Sequence, residues 1–473
     1  MIFYKNEHTK SSLKRQVEKM NSEKSQKQHR RMTEAPIPGL ILSLSLPTTV
    51  SMAVIALYTL ADSYFVSSLG TAASAAVGVV FAVHVLIQAV GYTLGMGGGS
   101  LLSRCLGKKE HKEAGEYAAA ALFFGLLSGG IITALGLIFR HGLIDFLGAT
   151  ESIYQYAVSY SVPLFWSAVP MCGSFVLSQL LRAEGKALWS MVGITVGGLA
   201  NIGLDPLLIH TFHMGISGAS TATLISQILS FGVLFSAYVF KKSQLNLFGS
   251  FGFSTASRIG TIFITGLPSL LRQGLSGVAA VLLNHATAPH GDAALTAVSV
   301  VNRLFLLVFS ICLGFGQGLM PVVGYNYGSG NLDRVKKAYR FSMLCATGIM
   351  LGVSIPLGVF APSIIKFFRD DPEVIKIGVY ALRLLCAVLF THGIVTCTIM
   401  FLQALGRSTP ATIVASARQG LFFLPLIFLL PARFGLHGLL LTQPLADLFT
   451  GIFALFFAVF SVKSALKKKK RPR

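Results

Sequence analysis

Apolar runs of about 20 residues, the length a helix needs to cross a bilayer, recur along this chain from residue 38 to residue 462. No other feature limits the fold as much. Inside hydrocarbon the protein must satisfy every backbone N–H and C=O itself, so only helices and closed barrels span. The runs are continuous rather than alternating apolar and polar, which fits helices and not barrel strands. Charged residues make up 12% of the chain, roughly half the share of an ordinary soluble domain. The sequence therefore predicts an all-α polytopic membrane protein. Gly, Pro and charge bound twelve spans: 38–62, 73–97, 115–139, 153–180, 188–210 and 217–240, then 260–284, 293–323, 338–361, 375–402, 409–431 and 436–462.

Charge orients these spans. Loops 2–3, 4–5, 6–7, 8–9 and 10–11 carry Lys or Arg, from Arg104, Lys108 and Lys109 in the first to Arg407 in the last. The opposite loops hold few, Arg140, then Lys366, Arg369 and Lys376, then Arg433, and loops 1–2, 5–6 and 7–8 carry none. Basic loops stay in the cytosol, so an even number of spans puts both termini there, in a multi-pass protein of the plasma membrane. The net charge of +21 follows from the same rule. No DNA- or RNA-binding motif accompanies it, and no nucleic-acid partner is expected. Residues 1–36 contain nine Lys or Arg and no apolar leader, and read as a disordered basic cytosolic tail. Residues 463–473, ending LKKKKRPR, form a second basic tail suited to anionic lipid. The six cysteines fall in or beside apolar runs, without metal-ligand spacing, and read as small buried hydrophobes.

The two halves of the chain repeat. Residues 70–107 align without gaps to 291–328, an offset of 221, with 11 of 38 positions identical, including Gly70/Gly291, Gly95/Gly316, Gly97/Gly318 and Gly107/Gly328. The same offset pairs Pro47 with Pro268 and Gly185 with Gly406, and an offset of 220 pairs Gly215 with Gly435. The expected organisation is two six-helix parallel-repeat lobes, 37–240 and 259–462, around a central cleft. A cytosolic linker, 241–258, joins them. Transporters built from parallel repeats bind substrate between the halves.

Three of the 18 acidic residues lie clearly within spans: Asp62, Asp205 and Asp447. An ionisable group there costs about 2.5–3.5 kcal/mol on insertion scales and is by default a functional hypothesis. Asp62 ends span 1 and Asp205 ends span 5, and the two spans run the same way. Both carboxylates are thus expected at one depth of the N-lobe, with Asn201 one turn before Asp205 on the same helix face. Paired carboxylates take up a proton. With Asn201 and further oxygens they can also hold Na⁺. The competing readings are a hydrated helix-end acid for Asp62 and a cap before Pro206 for Asp205. Asp447 is either a cleft acid for a cationic substrate or the partner of an arginine, Arg303, Arg383 or Arg418.

Several stretches together resemble the multidrug and toxic compound extrusion (MATE) family of efflux transporters. They include LADSYFVSSLG (60–70), LLSRCLGKKEHKEA (101–114), LRAEGKA (181–187) and NIGLDPLLI (201–209). GISGASTAT (215–223), GFGQGLMPVVGYNYGSG (314–330) and LQALGRS (402–408) follow in order. The resemblance covers roughly 37–462. It implies a V-shaped pair of lobes and a monomer that exports amphipathic, mostly cationic organic compounds against an inward flow of H⁺ or Na⁺. It also implies a cation-coupling site in the N-lobe at Asp62, Asn201 and Asp205. Thr223 matches a hydroxyl position of that site and Tyr160 fits it by spacing. Thr223 can equally be a hydroxyl bonded back to its own helix. Pro47 is the expected hinge of span 1, with a static structural proline as the alternative. Asp447, Arg418 and Arg303 are candidates for the substrate cleft. The C-lobe departs from the N-lobe pattern, since Leu283 stands opposite Asp62 and span 7 carries Arg272 and Gln273.

No phosphate loop is present, because GMGGGS (95–100) lacks a following Lys-Ser/Thr. Energy must then come from an ion gradient, and no cofactor is expected. Two rival functions are a flippase for lipid or lipid-linked oligosaccharide, favoured by arginines in the cleft, and an intramembrane enzyme using two aspartates. The second lacks any G-x-G-D or H-E-x-x-H motif.

Overall fold

The computed structural model describes residues 23, 25–240, 242, 243, 245, 247 and 257–467. Residues 1–22, most of the 241–258 linker and the end of the C-terminal tail lie outside the described residues. Twelve crossing helices follow in order. The first six are α1 (Ile37–Ser67), α2 (Thr71–Gly107), α3 (His111–Ile138), α4 (Glu151–Ala183), α5 (Ala187–Pro206) and α6 (Ile216–Val239). The second six begin with α7 (Ile259–Thr287), α8 (Asp292–Gly328) and α9 (Leu332–Val359). The helix α10 is a pair, Pro372–Val388 and Thr391–Ala404, bent by 49°. Residues 408–434 form α11 and 436–467 form α12; Gly435, at φ 55° and ψ −135°, breaks what would otherwise be a single rod. No strand occurs among the described residues.

The helices are longer than the apolar runs. Span 2 is expected to end at 97, yet α2 continues to Gly107 with Arg104 in its last turn. Span 9 is expected from 338, yet α9 begins at Leu332. Hydrophobicity marks where lipid ends, whereas a helix runs on until its backbone is broken. Here the breaks are left-handed residues, Lys109 (φ 66°) after α2 and Gly330 (φ 80°) before α9.

The repeat is written in these bounds. At offset 221 α2 coincides with α8, both 37 residues, and α3 with α9, both 28 residues. Gly70 and Gly291 open α2 and α8 with φ of 108° and 91°. Gly215 and Gly435 take the same left-handed conformation before α6 and α12.

The lobes meet along one seam. In α2, Gly97 lies so close to Ile262 of α7 that a Cβ would strike its carbonyl oxygen, and Gly266 of α7 stands likewise against Thr93. Gly314 and Gly318 of α8 press on Thr49 and Ser45 of α1. Thr48 Oγ1 donates to the Gly314 carbonyl at 2.6 Å and Ser45 Oγ to that of Phe315 at 3.1 Å. Helices in lipid associate through this kind of small-residue packing, because burying apolar surface gains little there. A buried polar cluster adds to the seam: Arg182 bonds Gln317 of the other lobe and donates from Nε to Ser190 Oγ at 2.8 Å.

The N-terminal region departs from the expected disordered tail over 25–34, which is helical. Met32 is fully buried, and its carbonyl accepts from Asn326 Nδ2 at 2.9 Å. Gln28 Nε2 donates to the Glu184 carbonyl at 3.0 Å, and Arg334 Nη2 to that of Ala35 at 2.6 Å. The segment finds partners in both lobes, so it straps across the seam at its basic-loop end.

Candidate cation and substrate sites

Beyond the seam the lobes diverge around a cavity of about 1990 Å³ measured out to its mouth. Residues of α1, α2, α7, α8, α10, α11 and α12 line it, mostly apolar ones such as Ile55, Phe81, Phe305 and Leu440. Two polar clusters flank this cavity, one in each lobe.

The N-lobe cluster joins α1, α4, α5 and α6. Asp205 is 0% exposed and Asn201 1%, one turn apart on α5. Asn201 Nδ2 donates to Asp205 Oδ1 at 3.5 Å. The next residue, Pro206, cannot donate to the carbonyl of Ile202, and the chain leaves α-helical geometry for a π turn over Leu207–Thr211. Asp62 and Asp205 are near enough to act on each other electrostatically, and Tyr160, 4% exposed, feels both. Asp62 Oδ1, Asn201 Oδ1 and Asp205 Oδ2 are all buried without a hydrogen-bond partner. Native proteins rarely leave buried oxygens unsatisfied. Three such acceptors in one cluster have the chemistry to receive a cation. Thr223 Oγ1 donates to the Ala219 carbonyl at 3.2 Å, within its own helix. Pro47 is buried inside α1, where Ser51 Oγ donates to its carbonyl at 2.9 Å.

The C-lobe cluster is saturated instead. Asp447, 1% exposed, accepts from Arg418 Nε at 2.7 Å and Gln443 Nε2 at 2.8 Å, and lies 3.1 Å from His392 Nε2. Arg418 occupies a π turn, Ala417–Phe423, a distortion common at functional sites. Its guanidinium lies 4.9 Å from the centre of the Phe305 ring. The bend in α10 ends one residue before His392, at Thr391. Asp447 sits behind Arg418 and does not line the cavity; Arg418 does. Arg303 lies on the exposed face of α8, outside the cavity, because its neighbours Asn302 and Leu306 take the inward positions.

The sequence does not single out His392 or Gln443. The signal it offers is a histidine inside the apolar run THGIVT, but the partner of that histidine lies 55 residues away.

A twelve-crossing, two-lobed bundle with buried polar clusters beside a central cavity is the architecture of a multi-pass membrane transporter built from parallel repeats. The MatE family model matches residues 47–207 and 268–429, two segments that begin at Pro47 and Pro268. The multidrug export protein MepA of Staphylococcus haemolyticus is 28% identical over 435 residues, which is 92% of this chain and 95% of MepA. An outward-facing multidrug resistance MATE transporter superposes with a TM-score of 0.87 at 26% identity, covering 92% of this chain and 98% of that one. A transporter of the same superfamily from Pyrococcus furiosus, described as having a binding pocket of reversed polarity, superposes at 0.86 with 25% identity, covering 92% of this chain and 98% of the other. The chain belongs to the MATE family of multidrug efflux transporters.

Proposed function

We propose that the protein exports amphipathic organic compounds by alternating access, driven by a cation that enters through the Asp62–Asn201–Asp205 site. The observation that carries this is the trio of buried, unpartnered oxygens at those residues. A proton suits them best. The two carboxylates repel each other, and a proton taken up by one relieves that repulsion. Na⁺ would need more oxygens than these three.

The cavity opens at the end away from the basic loops, while the seam and the strap close the other end. With the basic loops and both termini in the cytosol, this is an outward-open state of a single-chain protein of the plasma membrane. Binding a cation draws Asp62 on α1 toward Asp205 on α5. Ser45 and Thr48, which flank Pro47, tie α1 to α8, so movement of the Asp62 end of α1 is taken up at and beyond that proline. Bending there transmits the cation's arrival to the seam, and the two lobes move against each other.

The family's preference for cationic compounds has no support in the cavity lining. No Asp or Glu is among its lining residues, and Asp447 is held by three side chains.

Proteoliposomes loaded with a fluorescent amphiphile, with proton and Na⁺ gradients imposed separately, test the coupling. Export should follow the proton gradient and vanish in Asp62→Asn and Asp205→Asn. Full gradient-driven export by both variants would remove the site, and export driven by Na⁺ alone would replace the proton. The hinge fails if Pro47→Ala transports at the wild-type rate.

A further inference from the structure

The cavity holds an arginine with nothing to answer its charge. Arg272 projects from α7 into the main cavity and into a small recess that leads to His392 and Thr396. It forms no ion pair and no side-chain hydrogen bond with the described residues. The groups near enough to act on it are the Tyr92 hydroxyl and the like-charged guanidinium of Arg418. Arg418 uses its Nε on Asp447 and also lines the cavity. Beside Arg272, the Gln273 amide nitrogen is buried without an acceptor.

An uncompensated guanidinium at membrane depth is expensive and marks function by default. The five N–H donors of a guanidinium match the two oxygens of a carboxylate or phosphate and offer nothing to a cation. Around this donor the wall is apolar and aromatic, with Ile55, Phe81, Leu283, Phe305 and Phe309 contributing. Such a wall suits the hydrocarbon or aromatic body of an amphiphile. The other guanidinium of the cavity, Arg418, is already offset by Asp447 behind it.

We infer that Arg272 anchors the acidic group of the exported compound, so that the central cavity takes anionic amphiphiles bearing a carboxylate or phosphate. This rests on the reading of the cavity as the export route and names its substrate class. Arg418 supplies the second, weaker contact, held in place from behind by Asp447. The same chemistry is offered by a free organic acid and by the headgroup of an acidic lipid.

Binding to the purified full chain in detergent separates the possibilities without any gradient. Three fluorescent probes suffice: a dansylated eleven-carbon carboxylate, the same dansyl chain ending in trimethylammonium, and a short-chain phosphatidic acid carrying a fluorophore. The carboxylate should bind at least about tenfold more tightly than the ammonium analogue, as a charge-assisted bidentate contact in a dry site allows. Arg272→Gln should weaken the carboxylate by a similar factor and leave the ammonium probe within about twofold, whereas Arg272→Lys should retain part of the affinity. Tight binding of the phosphatidic acid alone would assign the anchor to a lipid headgroup, and binding of the carboxylate to a free acid. Either keeps the anchor. Binding of the ammonium probe to the wild type as tight as or tighter than that of both anionic probes overturns the inference, as does an Arg272→Gln protein that still binds the preferred anionic probe fully. Anion binding through Arg272 without gradient-driven export would instead overturn the export reading and leave the anchor intact.

Discussion

The two lobes share a scaffold almost residue for residue, yet their buried acids live under opposite conditions. In the N-lobe, Asp62 and Asp205 each keep a buried oxygen without a partner. In the C-lobe, Asp447 is enclosed by Arg418, Gln443 and His392. The repeat makes the difference sharper. Asp62 is matched by Leu283 and Asn201 by Phe422, while Asp447 is matched by Gln227, Arg418 by Gly197 and His392 by Met171. Neither cluster is therefore demanded by the fold. An acid with free valence can take up and release a cation, whereas an acid with none can only hold its neighbours in place.

The largest expected effect breaks that contrast from the C-lobe side. Asp447→Asn leaves Arg418 buried without its counter-charge, and removal of one member of a buried pair costs about 3–5 kcal/mol. Thermal unfolding in detergent should show a large fall in Tm. The corresponding N-lobe change should do the reverse: Asp62→Asn and Asp205→Asn leave stability within about 1 kcal/mol, since no counter-charge is orphaned, but abolish gradient-driven export. If Asp205→Asn unfolds the protein while Asp447→Asn does not, the comparison is inverted. Thr223→Val should slow export by less than about threefold, because a proton needs only the two carboxylates. A loss as large as that of Asp205→Asn would put the Thr223 oxygen among the cation's ligands.

The smallest effect belongs to the strap that joins the lobes. Burial lowers the pKa of His29 below the ordinary histidine value; Lys109 acts in the same direction and the Leu106 backbone and Glu34 against it. The docked segment thus disfavours the protonated ring. Docking is complete while the ring is neutral and weakens as pH falls below about 6.5. Limited proteolysis or hydrogen exchange over 25–34 should be faster at about pH 5.5 than at about pH 7.5, and in His29→Gln this dependence should disappear.

Much of this architecture is legible in the sequence. Periodicity and length place the twelve crossings, and matched glycines place the repeat, because both depend on local backbone physics. The pairing of Asp62 with Asp205 follows from topology alone. What escapes the sequence depends on contacts between distant segments. His392 meets Asp447 only because α10 bends there, and no proline or glycine at 388–391 signals that bend. The helix at 25–34 reads as a tail because its composition is polar, and its partners Glu184, Asn326 and Arg334 lie far along the chain. Arg303 and Arg418 are indistinguishable as charges; a turn of helix sends one to the exposed face and a π turn brings the other into the cavity.

The glycine seam has a mechanical consequence. Where Gly97 meets Ile262 and Gly266 meets Thr93, main chain touches main chain with no interlocking knobs between. Surfaces of that kind slide and part without any side chain having to change rotamer, like a bearing rather than a gear. A single methyl group at Gly97 is therefore a wedge. It would prop the closed, basic-loop end ajar and tilt the resting population of the transporter without touching a charge, a cation or a substrate.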